Sequence, residues 1–150
     1  MPTLFIVLLS LPAISAAYAT PQADAVCDIR VDSDYGDRPP TIIRDGFTVD
    51  LSRGLIRVEP FTMSPWNQSQ PSYYRINRSR REGKGYTAVQ AIGNRNRRPV
   101  LLEISFHMLP ERPVMVKIGD FFGDDTGWLE FREYFHMNLE RCEGLRRLER

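Results

Sequence analysis

Reactive side chains are scarce in this sequence. Its 150 residues hold two cysteines and two histidines, and lysine is reduced to two against eighteen arginines. The cysteines form no C-x-x-C pair and the histidines no H-E-x-x-H, which removes the common thiol-redox and zinc-hydrolase signatures. A G-x-S-x-G elbow, a P-loop and a dinucleotide fingerprint are also missing. So is an excess of charge of one sign: 20 basic residues stand against 19 acidic ones, a formal charge of +1. That balance excludes a net-basic nucleic-acid binder of the usual kind and a highly charged disordered chain. No internal repeat or low-complexity segment interrupts the chain, and no strand–helix alternation points to a parallel α/β sheet. With 42% hydrophobic and 26% charged residues, the remainder describes one ordinary globular domain with its own core.

The first nineteen residues carry no charged side chain. Leu4 to Leu11 is an almost unbroken apolar run, followed by the small residues Ala13, Ser15, Ala16 and Ala17. Ala17-Tyr18-Ala19 matches an A-x-A cleavage site, and Thr20-Pro21 opens a polar stretch. This is the layout of a secretory signal peptide over residues 1–19, cleaved after Ala19, with a hydrophobic region too short for a stable membrane span. Residues 20–150 are then one β-rich extracytoplasmic domain, secreted or periplasmic, with no transmembrane span after processing. In such a compartment Cys27 and Cys142, 115 positions apart, are expected to form one intramolecular disulfide.

Period-two alternation dominates from residue 41 to residue 138. Phe47, Val49 and Leu51 alternate with Thr48, Asp50 and Ser52; Arg53-Gly54 turns the chain, and Ile56 and Val58 return it. Pro60 to Pro71 breaks the pattern and reads as a long loop. Further strands follow at Ser72–Arg78, Tyr86–Ile92, Val100–Met108, Val114–Ile118 and Trp128–Asn138, with Cys27–Val31 as a short first strand. In the last long strand Leu129, Phe131, Phe135 and Met137 are expected on one face, with Glu130, Arg132, Tyr134 and His136 on the other. The expected fold is all-β, an antiparallel β-sandwich or small β-barrel of about eight strands. Leu139 to Arg150 adds a short C-terminal helix, weakened by Gly144.

Charge is unevenly distributed. Residues 24–50 carry seven acidic and three basic side chains, whereas residues 75–98 carry eight basic side chains against Glu82 alone. Arg78, Arg80, Arg81, Arg95, Arg97 and Arg98, with Tyr73 and Tyr86 among them and Trp66 in the preceding loop, are the candidate ligand-binding residues. Arginine recognises carboxylates, phosphates and sulfates better than lysine does, and exposed aromatic rings stack on sugars. The competing reading is a set of solvated charges that protect strand edges from aggregation.

Two weaker constellations accompany this one. Glu103 precedes His107, and Glu130 precedes His136, on the polar faces of their strands. If those strands are neighbours, the four groups form a general acid/base or metal site. Asp32, Asp34 and Asp37 have calcium-loop spacing but lack the remaining ligands of an EF-hand. Asn67 and Asn77 head N-glycosylation sequons. No cofactor is expected. The leading expectation is an exported non-catalytic binding or accessory domain whose partner is an anionic polysaccharide or envelope surface; a nucleic-acid partner is not expected. Two alternatives stay open: a small hydrolase or metal-dependent enzyme using the His/Glu pairs, and a lipocalin-like carrier of a small ligand.

Overall fold

The computed structural model describes residues 22–32, 39–60, 62–63, 66–67, 69–83, 85–109, 112–123 and 128–150, and no side chains over 61–68 or at positions 130, 131, 133 and 134. The proposed leader over residues 1–19 lies outside the described residues. The strands run β1 (Ala25–Val31), β2 (Thr41–Asp50), β3 (Leu55–Val58), β4 (Thr62–Met63), β5 (Trp66–Asn67), β6 (Ser72–Glu82), β7 (Tyr86–Arg95), β8 (Arg98–His107), β9 (Val114–Gly123) and β10 (Leu129–Glu143). Eight of them close an antiparallel barrel in the order β1-β10-β9-β8-β7-β6-β3-β2, and β4 and β5 form a separate small hairpin inside the segment expected to be a loop. The barrel, rather than a sandwich, is the realised form of the all-β expectation. The first and last strands meet at β1, which pairs with β10 on one side and β2 on the other and so closes the ring.

Alternation explains the interior. Cys27, Ile29, Phe47, Val49, Ile56, Val58, Tyr74, Val89, Leu102, Ile104, Phe106, Val116, Ile118, Met137 and Leu139 belong to one buried cluster. An eight-stranded barrel has an interior that side chains can fill, and the two phenylalanines Phe47 and Phe106 are completely buried in it. One end is covered by a short 3₁₀ helix, Leu145–Glu149, whose buried Leu145 and Leu148 join the same cluster. This helix is shorter than the one expected from Leu139 onward, because β10 keeps pairing with β1 as far as Glu143. Gly144 makes the turn at φ 73°, and a Cβ there would lie 2.1 Å from the Asp24 carbonyl oxygen. Only glycine fits both conditions.

A β-bulge between Glu133 and Phe135 alters the expected face pattern of β10. Phe135 and Met137 pair with the core residues Ile118 and Val116, but Glu133 pairs with Gly119 and Phe131 with Phe121. Positions before the bulge are therefore out of phase with those after it, so Leu129 and Phe131 sit on the opposite face from Phe135 and Met137. The consequence appears on the outer wall. Gln90 and Leu101 face outward in register, yet both have 0% exposure, and Ala88 and Ser105 are buried beside them. The Gln90 side-chain amide donates to the Leu129 carbonyl at 3.0 Å and to Glu103 at 2.8 Å. Buried Trp128 lies under the Arg80 guanidinium, 3.8 Å from the ring centroid. The start of β10 thus folds back across β7 and β8, giving the barrel a second, smaller buried layer outside the first.

Candidate functional site

The barrel's closure seam holds its charges in pairs. Two bulges flank Asp28: β2 inserts extra residues between Phe47 and Ile43, and β10 does so between Glu143 and Glu140. Asp45 and Arg141 take positive φ values of 50° and 48° in these bulges. Both turn to the same carboxylate: the Asp45 amide donates to Asp28 at 2.9 Å, and the Arg141 guanidinium pairs with its other oxygen. The Asp45 hydrogen bond, aided by Arg141 and opposed by burial, holds the Asp28 carboxyl below the ordinary carboxylate value. The Cys27–Cys142 disulfide crosses the same seam. Next to it Arg30 bridges Asp32 and Glu140 at 2.8 and 3.2 Å.

The opposite wall is different. On β6 a bulge at Asn77 keeps Arg75, Arg78 and Arg80 on the outer face: Arg75 pairs with Ile92, Arg78 with Gln90 and Arg80 with Ala88. Arg80 is engaged with Glu82 and stacked on Trp128. Arg75 and Arg78 are exposed and have no carboxylate partner among the described residues. Tyr73, 57% exposed, continues the stripe at the start of β6 and accepts a hydrogen bond from Arg57, which also pairs with Glu59. Arg81 pairs with Thr87, on the opposite face parity from Arg78 and Arg80. Beyond the same end of β6, Arg95 and Arg98 close the β7–β8 hairpin around Asn96 and Arg97, whose φ values are 48° and 64°. Two positive φ values are those of the tight turn that favours Asn-Gly, and arginine stands where glycine costs least. The Tyr74 ring packs over Gly93, its cross-strand partner; a Cβ there would lie 2.6 Å from the ring. Burial pushes the Tyr74 phenol up to about 12.

Tyr86 sits apart from this basic surface. Its phenol is pushed up by burial and then by Glu82 and Glu103, and its ring is 6.1 Å from that of His107. Trp66 lies on β5 opposite Met63, and its side chain is outside the described residues.

The histidine pairs are rearranged by the register. His136 and Lys117 are partners, and Lys117 and Glu103 are partners, so Glu103 shares an outer row with His136. His107 lies two outer rows away, opposite Tyr86, at the barrel end. Glu103 is occupied by Gln90, and the Glu130 side chain is outside the described residues. The Asp32 carboxylate is taken by Arg30 and reached by Asn138 at 3.4 Å; Asp34 and Asp37 lie outside the described residues.

A basic cleft at the barrel end was missed. Its volume is about 690 Å³, and Arg112, Arg141, Arg146, Arg147 and Arg150 line it together with Phe106, Val114, Leu139 and Leu145. The signal was in the sequence: four of its arginines fall within the last ten residues, interleaved with Leu145 and Leu148. Comparison of the chain with protein-family models, curated proteins and solved structures found no match to any of them.

Proposed function

We propose that this chain is an exported, non-catalytic binding domain that holds an anionic polysaccharide at a cell envelope or cell surface. The contact face is the outer side of β6, with Tyr73 as a sugar-stacking platform and the Arg95–Arg98 hairpin tip at one end. One observation carries the reading: Arg75 and Arg78 stand outward on the same strand without carboxylate partners among the described residues. From Arg75 to Arg80 the strand advances four ladder steps, from Ile92 to Ala88 on β7, or about 13 Å, enough to meet more than one charged group along an extended polymer. Arg97, exposed at the tip of the β7–β8 hairpin, adds a further cation at that end of the face. Export is supported by the leader-like residues 1–19 and by the Cys27–Cys142 disulfide, because such bonds persist in oxidising compartments.

The test is retention on an immobilised acidic polysaccharide. The oxidised protein is expected to be held at low salt and released as the screening length falls from about 10 Å at 0.1 M toward about 3 Å at 1 M. Replacing Arg75, Arg78 and Arg97 by glutamine should abolish the retention. Absence of retention at low salt contradicts the proposal.

A further inference from the structure

We infer that the cleft at the 3₁₀-helix end of the barrel binds a small anionic amphiphile, a molecule with an apolar body and a phosphate or carboxylate head. The floor is apolar: Phe106, Leu139 and Leu145 are core residues that reach the cleft, and Val114 packs beside them. Its rim is cationic, and the pairing there leaves positive charge over. Arg141 is matched by Asp28, Arg146 by Glu149 at 3.0 Å and Arg147 by Asp24 at 3.8 Å. Glu140, the one acidic side chain lining the cleft among the described residues, is claimed from outside by Arg30. Arg112 and Arg150 have no carboxylate partner among the described residues.

The cleft is also preorganised. Arg146 donates to the His107 carbonyl at 3.2 Å and lies 5.6 Å from the centroid of the Phe106 ring, which fixes one guanidinium directly above the apolar floor. The Arg112 amide donates to the Leu109 carbonyl at 3.2 Å, so the turn that carries Arg112 also holds half-exposed Leu109 beside it. Met108, 72% exposed, precedes it. Cations over an apolar floor complement a ligand that is itself divided into head and body. A volume of about 690 Å³ falls in the range of small-molecule sites. Guanidinium forks match the oxygens of phosphate and carboxylate in paired hydrogen bonds. None of the β6 residues of the proposed polysaccharide face lines this cleft, so the two readings stand or fall separately.

Octyl phosphate below its aggregation threshold is the probe, with octyl glucoside (same tail, neutral head) and inorganic phosphate (head alone) as comparisons. Binding is followed by the methyl resonances of Val114, Leu139 and Leu145. Octyl phosphate is expected to shift these signals saturably and to bind at least about tenfold more tightly than either comparison, as loss of a charge-assisted hydrogen bond or of the apolar body implies. Arg112→Gln and Arg146→Gln should each weaken it by about tenfold, whereas Arg75→Gln should leave it unchanged. Equal affinity for octyl glucoside, equal affinity for phosphate alone, or unchanged binding by both cleft variants would overturn the inference.

Discussion

Arginine serves opposite ends on the two sides of this barrel. At the seam where β1 closes the cylinder, Arg30 and Arg141 are each tied to carboxylates, and one of these, Asp28, is buried between two bulges. On the β6 wall, Arg75 and Arg78 point outward with no carboxylate partner among the described residues. The same side chain is a structural clamp where carboxylates stand beside it and a surface group where none does. Both walls carry bulges, so the neighbouring carboxylates, and not residue type or regularity of the ladder, separate the two uses.

The comparison breaks most severely at the seam. Replacing both Cys27 and Cys142 by serine should cost about 4–5 kcal/mol in the chain-entropy model for a loop of this length, measured by denaturant unfolding of the oxidised parent and the variant. Gly144→Ala should follow, losing at least about 1–2 kcal/mol from the left-handed backbone alone, with the collision against Asp24 adding to it. Asp28→Asn should lower Tm by less than loss of the disulfide, and its pH dependence is diagnostic. A native pKa held below the ordinary value contributes stability that is complete above that value and is lost as pH falls through the lower native pKa. The parent should therefore lose stability below about pH 4 more steeply than the Asp28→Asn variant.

The β6 side should behave in the opposite sense. Arg97→Gly is expected to stabilise the protein by about 0.5–1 kcal/mol, because glycine accepts the positive φ without strain, while weakening retention on the acidic polysaccharide. Arg75→Gln with Arg78→Gln should change stability by no more than about 0.5 kcal/mol, as expected for exposed substitutions, yet remove most of that retention. Thermal unfolding and chromatography on the same samples separate the two effects.

Much of the barrel was legible in the sequence because one face of nearly every strand is buried, and burial imposes period two on residues such as Val100, Leu102, Ile104 and Phe106. Closure was not, since it depends on β1 finding partners on both edges, a matter of register that no local pattern encodes. The bulges were hidden for a related reason. Asp45 and Arg141 adopt positive φ without being glycine, and what holds them is Asp28, distant in sequence from both. Gln90 was unremarkable as an alternating polar residue; only the fold-back of the start of β10 makes it a buried donor. The basic candidates were visible by composition, but their faces were not. One extra residue at Asn77 decides that Arg75 and Arg78 share a surface, and the parity after it turns Arg81 away. The cleft draws its lining from β8, the β8–β9 connection, β10 and the C-terminal segment, so four of its arginines stood together in the last ten residues while Arg112 and the apolar floor joined them only once the strands were assembled.

The most direct test of the central claim compares two variants that remove the same charge from different places. Arg75→Gln with Arg78→Gln takes two cations from the β6 face, and Arg112→Gln with Arg150→Gln takes two from the barrel-end cleft. On an acidic-polysaccharide column at low salt, the first should elute close to the void and the second should be retained nearly as well as the parent. Equal loss of retention by both variants would mean that net charge, and not the β6 face, governs binding, and would contradict the account.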